Sequence, residues 1–261
     1  AKWFQIVSAT TTNKEIKHQS LYRRFLCFYK LADKANMLLS LKAVIADEKS
    51  PYSETARLAL ARLYRESQST RQAHEQFVIL SKSKDSKIRA EATFQAALTA
   101  QTLGEKTLTK IWFRNTLSEE QPKDVKGKTQ LVLMSLHYKD MQWQDVIDVF
   151  RIGNFELEQQ SELQRLIMVA KSYDALGKED EVTKLYEQIA KLSPGSASSF
   201  EATYNLLVRD HQRSANNFTK DAESFLNSYA TTKAKDPKIH SIRLLLAESF
   251  YAAKTYEKAI S

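Results

Sequence analysis

The chain has 261 residues, of which 43% are hydrophobic and 27% are charged, and its net charge of +8 suits acidic protein surfaces, nucleic acid or anionic lipid. Glycine (5) and proline (4) are both scarce, which favours long helices over turn-rich β-structure. No apolar run approaches the ~18–20 residues of a transmembrane helix, and a single cysteine, Cys27, excludes an internal disulfide and a multi-cysteine zinc site.

The chain begins with "AKWFQIVS", which has the pattern of the second half of a helix whose first half is missing. This predicts that the sequence is a segment of a longer protein. The next stretch, "FLCFYKLADKANMLLSLKAVI", fits two helices joined by a turn, with apolar positions at Phe25, Tyr29, Leu38 and Ile45.

Five further stretches share one order of residues: a small residue, an aromatic one turn later, a tight turn, and an apolar second helix. Two of them agree at every offset, because Ala61 and Tyr64 in one correspond to Ala170 and Tyr173 in the other. The matching positions in the second helices are Ala73, Phe77 and Leu80, and Val182, Tyr186 and Ile189. The looser copies carry Ala97, Ala100, Gly104 and Phe113; Met134, Tyr138, Trp143, Val146 and Phe150; and Ala247, Phe250, Tyr256 and Ala259.

Helix breakers repeat with the same spacing. The prolines fall where one pair of helices would pass to the next, and Gly104 and Gly177 fall at predicted turns inside a pair. A fixed period of about 36 residues predicts a solenoid of stacked helical hairpins, because one hairpin cannot bury its own apolar stripe. The four prolines are Pro51, Pro122, Pro194 and Pro237.

Two places depart from this period. The interval between Pro194 and Pro237 is too long for one unit, which predicts longer helices or a longer turn near "HQRSANNF". Gly153 stands late in a predicted helix where a larger residue would be expected, which predicts a close approach or an early helix end.

The motifs resemble the tetratricopeptide repeat, although the family's usual glycine in the first helix is replaced by Ala, Met or Leu. The segment 163–196 is the most similar to the family pattern, through Leu166, Val169, Ala170, Tyr173, Val182, Tyr186, Ile189 and Pro194. The resemblance implies an all-α, right-handed superhelical solenoid of about six to seven hairpins. The predicted units are 19–52, 53–88, 89–125, 126–162, 163–196, 197–236 and 237–261.

The resemblance also implies a setting and a role. The C-terminal stretch is similar to the longer repeat variant of bacterial envelope proteins, which implies a periplasmic or envelope location, with the cytoplasm as the alternative. Members of the family act as non-enzymatic scaffolds that bind a protein or peptide in the concave groove lined by the first helices.

Catalytic and metal-binding patterns are missing from the sequence. The five glycines are isolated, so they form no phosphate-binding loop, and His74-Glu75 lacks the second histidine of a zinc helix. His137 falls at a packing position, which predicts a core histidine with a hydrogen-bond partner. We therefore expect no enzymatic activity, no cofactor and no metal site.

Surface residues are the remaining candidates for function. In the repeat register, basic side chains alternate with apolar ones along the predicted groove, which suits an acidic peptide. The candidate partner-binding residues are Arg23, Lys30, Arg62, Arg65, Phe94, Gln101, Tyr138, Lys139 and Lys171.

Three alternatives stay open. The face could be an ordinary solvated surface, or the basic solenoid could bind nucleic acid nonspecifically. The second alternative is disfavoured because stacking aromatics do not recur beside basic residues at one repeat position. The chain could also recruit substrates for a larger enzyme or membrane protein.

Overall fold

In the computed structural model, which describes residues 1–260, the described part of the chain folds into fifteen α-helices and contains no strand. The helices are α1 (Lys2–Thr10), α2 (Lys14–Lys30), α3 (Lys34–Ile45), α4 (Ser53–Glu66), α5 (Thr70–Leu80), α6 (Ser86–Thr102), α7 (Lys106–Ser118), α8 (Lys123–Lys139), α9 (Trp143–Phe150), α10 (Gln159–Ala175), α11 (Glu179–Leu192), α12 (Ala197–Gln212), α13 (Phe218–Tyr229), α14 (Pro237–Ala252) and α15 (Tyr256–Ile260). The prediction of an all-α solenoid built from helical hairpins is confirmed.

The same turn joins the two helices of each hairpin from α2/α3 to α14/α15. One residue per turn adopts a left-handed backbone, with φ between 52° and 74°. Successive turn residues are separated by 36, 36, 37, 36, 37 and 40 positions, so the predicted period is present in the backbone itself. These residues are Ala32, Gln68, Gly104, Met141, Gly177, Ser214 and Lys254.

Each of these turns closes with the same two hydrogen bonds. At Gly177, the turn residue's N–H donates to the Asp174 carbonyl at 2.9 Å, and the Lys178 N–H donates to the Tyr173 carbonyl at 3.0 Å. This pair of bonds defines a Schellman motif, which satisfies carbonyls that a helix end leaves without partners. The turns at Gly104 and Gly177 were predicted from glycine, whereas the others form without it.

The described residues divide into two compact units, 1–133 and 134–261, with residue 261 lying outside the description. In unit 1, the side chains that pack between α4, α5 and α6 alternate in size. Ala61 is fully buried beside Phe77, so the small residue lets the two helices approach and the aromatic fills the space between them. The finer division into seven sequence units stays a prediction.

Unit 2 has its own core around α12, α13 and α14. Phe200 stacks on Phe225 with ring centroids 5.3 Å apart, and Ile239 and Ile242 of α14 complete the cluster. In the first hairpin of this unit, buried His137 pairs its Nδ1 with Gln142 Oε1 at 2.8 Å. The prediction of a core histidine with a hydrogen-bond partner is therefore confirmed.

The segment after α9 confirms one predicted departure. Helix α9 ends at Phe150, and a Cβ on Gly153 would meet the ring of Phe155 at 2.9 Å, so close approach requires glycine here. Arg165 is only 2% exposed and orders the same segment, because it donates to the Phe155 carbonyl at 3.0 Å and to Asn154 Oδ1 at 2.8 Å. The burial of this arginine could not be predicted from the sequence pattern.

The second predicted departure is confirmed in the turn near "HQRSANNF". Five residues, 213–217, connect α12 to α13, whereas three residues connect the helices of each other hairpin from α2/α3 to α14/α15. The Schellman geometry is kept at Ser214, and neither α12 nor α13 is unusually long. The interval between the prolines is long also because Pro237 begins α14, whereas Pro194 precedes α12 by a short loop.

Candidate functional site

The turn residues provide a structural register for the first helices of unit 1. Counting back 10, 6 and 3 positions from each left-handed residue selects side chains on one face of the helix. We call these nine residues the first-helix face of unit 1: Tyr22, Leu26 and Tyr29 on α2; Leu58, Arg62 and Arg65 on α4; and Phe94, Leu98 and Gln101 on α6.

This register corrects the placement of two candidate residues. Arg23 and Lys30 were aligned with Arg62 and Arg65, but each lies one position away from the residue that is equivalent. The error arose because Ala32 adopts the left-handed turn conformation without the glycine that marks it elsewhere. One position rotates a helical side chain by about 100°, so Arg23 and Lys30 border the face of α2 that the aromatic residues occupy.

A cleft of about 460 Å³ lies between α2 and α4. Leu26 and Tyr29 are 40% and 59% exposed there, so the cleft presents apolar surface to solvent. Tyr22 stacks nearly parallel on Tyr52, with centroids 4.7 Å apart, so this wall is held in place by packing. The lining residues are Tyr22, Phe25, Leu26, Tyr29, Met37, Thr55, Leu58, Ala59, Arg62, Leu63 and Glu66.

A second cleft of about 410 Å³ lies on the other side of α4. Six of its seven lining residues are of polar type, and Arg65 in its wall donates from Nη1 to Gln95 Oε1 of α6 at 2.5 Å. Phe94 is half-buried and Gln101 is exposed, and neither belongs to the lining of this cleft. The lining residues are Arg65, Gln68, Thr70, Gln95, Leu98, Thr99 and Thr102.

Positive charge is concentrated in unit 1. Residues 1–133 contain 23 Lys and Arg against 13 Asp and Glu, a net charge of +10, whereas residues 134–261 contain 16 against 18, a net charge of −2. Arg62 is partly neutralised, because its Nε donates to Glu91 Oε1 at 3.0 Å, but its side chain remains 51% exposed. Arg23 and Lys30 are exposed and form no ion pair among the described residues. The face of unit 1 therefore carries uncompensated cations next to apolar surface.

In unit 2, ion pairs join neighbouring first helices. Arg209 of α12 bonds Asp174 of α10, and Lys238 of α14 bonds Glu201 of α12 at 3.0 Å. The hydrogen bond that Lys238 donates to the Glu201 carboxylate raises the pKa of Lys238 above its ordinary value.

The remaining candidate residues belong to unit 2. Tyr138 packs edge to face against Trp143 at 5.2 Å, which gives it a role within its own hairpin, and Lys139 is exposed. Lys171 lines a separate cleft of about 290 Å³ with Tyr186 and Asn205. Burial, followed by the nearby Asp174 carboxylate, raises the pKa of Tyr186.

No reactive centre stands out among residues 1–260. The described side chains include no group of three or more His, Cys, Asp and Glu residues that could hold a metal ion. Within the same residues, no helix has the length and hydropathy to cross a membrane.

Of the comparisons with known proteins, only the one with solved structures found matches. No family model matches the sequence, and no curated protein matches it. A tetratricopeptide repeat protein from Parabacteroides merdae ATCC 43184 is 15% identical with a TM-score of 0.43, over 93% of this chain and 89% of that one. The P58(IPK) TPR domain is 16% identical with a TM-score of 0.37, over 98% of this chain and 65% of that one. Both of these structures are described as tetratricopeptide repeat proteins, the family that the sequence motifs of this chain resemble.

Proposed function

We propose that this chain is a non-enzymatic protein-interaction scaffold that binds a protein or peptide partner on the first-helix face of unit 1. The observation that carries the proposal is the exposure of Leu26 and Tyr29 inside a formed cleft. Exposed apolar side chains gathered in a cleft mark interaction sites more often than isolated ones do. Uncompensated cations border this apolar surface and would orient a partner of opposite charge.

The candidate residues take different parts in this proposal. Arg62 and Arg65 stand on α4 between the two clefts, where they would contact the partner directly. Phe94 and Gln101 extend the same face along α6, and Arg23 and Lys30 would act from the border of the α2/α4 cleft. The unit 2 residues Tyr138, Lys139 and Lys171 would form a separate contact region.

The test is affinity capture with two matched variants. The 261-residue chain is used as bait in a lysate beside Arg62→Gln/Arg65→Gln and beside Lys82→Gln/Lys84→Gln, which removes the same charge from an exposed segment outside both clefts. We expect proteins that the wild type and the Lys82/Lys84 variant retain and that the Arg62/Arg65 variant loses. Identical sets on all three baits would contradict the proposed face.

Nonspecific nucleic-acid binding is the second candidate, and the concentration of +10 charge in unit 1 favours it. Such binding would weaken steeply with salt and would show no sequence preference. Capture that disappears after nuclease treatment would therefore move the function to nucleic acid. A partner that is itself an enzyme or a membrane protein would support the recruitment role.

A further inference from the structure

We propose that the cleft between α2 and α4 binds an apolar anchor side chain of an acidic protein segment. This inference rests on the proposed function and adds the chemistry of the partner. Its basis is the corrected register, which places Tyr22, Leu26 and Tyr29 in the cleft where two basic residues had been predicted.

The cleft wall suits an aliphatic or aromatic side chain. Leu26 and Tyr29 of α2 face Leu58 of α4 across the opening, and Tyr22 is fixed against Tyr52. Burying apolar surface here contributes roughly 25 cal/mol for each Å² removed from water. A wall that is already ordered by stacking adds little entropy cost when the anchor enters.

The border of the cleft suits carboxylates near the anchor. Arg23 and Lys30 follow α2 one position beyond the apolar stripe, and Arg62 lies in the lining on α4. The one acidic residue in the lining is Glu66, so cations outnumber it around the opening. Because Arg62 already bonds Glu91, the unpaired Arg23 and Lys30 would supply most of the attraction.

The net positive charge of unit 1 also favours an acidic partner segment. The +10 of unit 1 would speed the approach of an acidic segment and would disfavour a basic one. A segment with an apolar residue and at least one Asp or Glu within about one helical turn would meet both features of the site. Such a segment differs from nucleic acid, which would gain nothing from the apolar wall.

The experiment selects ligands without assuming a sequence. A phage-displayed library of random 12-residue peptides is selected on the immobilised 261-residue chain, and enriched peptides are synthesised and titrated against variants. We expect Leu, Ile, Phe or Trp within four residues of Asp or Glu. We expect Leu26→Gln or Tyr29→Gln to weaken binding about tenfold, as loss of an anchoring contact does.

Matched controls separate the cleft from general effects. Leu39 of α3 is 60% exposed and lies outside the lining, so Leu39→Gln should leave affinity unchanged. Arg23→Glu/Lys30→Glu should weaken binding about tenfold at low salt, whereas Lys82→Glu/Lys84→Glu changes net charge equally and should weaken it less. All these positions are exposed, so the thermal unfolding midpoints of the variants should stay close to that of the wild type.

The outcomes are distinct for this inference and for the proposed function. Enriched basic peptides, or acidic ones that are indifferent to Leu26→Gln and Tyr29→Gln, would overturn the inference and leave a protein-binding role elsewhere on the chain. A library that yields no binder would overturn it as well. The proposed function itself would be overturned by the lysate experiment, through nuclease-sensitive capture or through identical protein sets on all three baits.

Discussion

The left-handed turn residues allow a sharp test of the repeat architecture. At Gly104 and Gly177 a Cβ would meet no atom within 4 Å, so substitution by alanine changes backbone conformational energy without a clash. A left-handed conformation costs an L-residue roughly 1–2 kcal/mol, and alanine recovers roughly 0.4–1 kcal/mol by restricting the unfolded chain. We therefore expect each substitution to lower the free energy of unfolding by about 1 kcal/mol.

The reverse substitution, alanine to glycine at a left-handed turn residue, is the matched test. Ala32 adopts φ 53° and is exposed, so Ala32→Gly removes the strain and should raise the free energy of unfolding by about 0.5–1 kcal/mol. Ala253, one residue before the last turn residue, has φ −78°, a conformation that alanine adopts without strain. Ala253→Gly therefore relieves no strain and should destabilise the protein, because glycine loses more backbone entropy on folding. Urea unfolding followed by circular dichroism measures all four. Glycine-to-alanine substitutions without effect on stability, or a destabilising Ala32→Gly, would show that the left-handed turn residues carry no such backbone strain.

Three further predictions concern stability. Arg165→Ala should cost about 3 kcal/mol in urea unfolding, because it removes the bonds of a buried cation to Asn154 and to the Phe155 carbonyl. Ala170→Leu should cost roughly 1–3 kcal/mol in the same assay, because Ala170 is fully buried between helices. The His18 hydrogen bond lowers the pKa of Asp47 below its usual 3.8, so this carboxylate stabilises the fold above that pH and loses the effect as pH falls through its folded pKa. The stability difference between wild type and Asp47→Asn should therefore be full near neutral pH and shrink below about pH 4, as thermal unfolding across pH would record.

Exposed neighbours serve as controls for these three changes. Arg243→Ala, Ala175→Leu and Glu48→Gln alter exposed side chains and should each change stability by less than about 0.5 kcal/mol. An Arg165→Ala or Ala170→Leu variant as stable as its control would contradict the packing described for it. A stability difference for Asp47→Asn that persists unchanged at low pH would contradict the role of the carboxylate charge.

Periodic features could be predicted from the sequence, and features set by tertiary contacts could not. Ala61, Tyr64 and Gly104 each occupy a repeated place, so spacing identified the hairpins. The register of the first hairpin was misplaced by one position because Ala32 carries no local signal for a left-handed turn. The aromatic wall at Tyr22 was missed for the same reason.

Contacts between neighbouring repeats also could not be predicted from the sequence. The pairs that join Arg62 to Glu91 and Arg209 to Asp174 span 29 and 35 positions, and they do not recur at one repeat position. Arg165 is an ordinary arginine in sequence, and only the folded segment around Phe155 explains its burial. The candidate site could therefore not be assigned from the sequence, because only the folded chain shows which of its cations have ion-pair partners.

We propose the α2/α4 cleft as the binding surface of this chain. The most direct measurement is the affinity of the captured partner, or of the selected peptide, for Leu26→Gln and Leu39→Gln in one calorimetric series. Both substitutions replace an exposed leucine of unit 1, and only Leu26 lies in the cleft. We predict an affinity about tenfold weaker for Leu26→Gln and unchanged for Leu39→Gln. Equal affinities for the two variants would contradict the account.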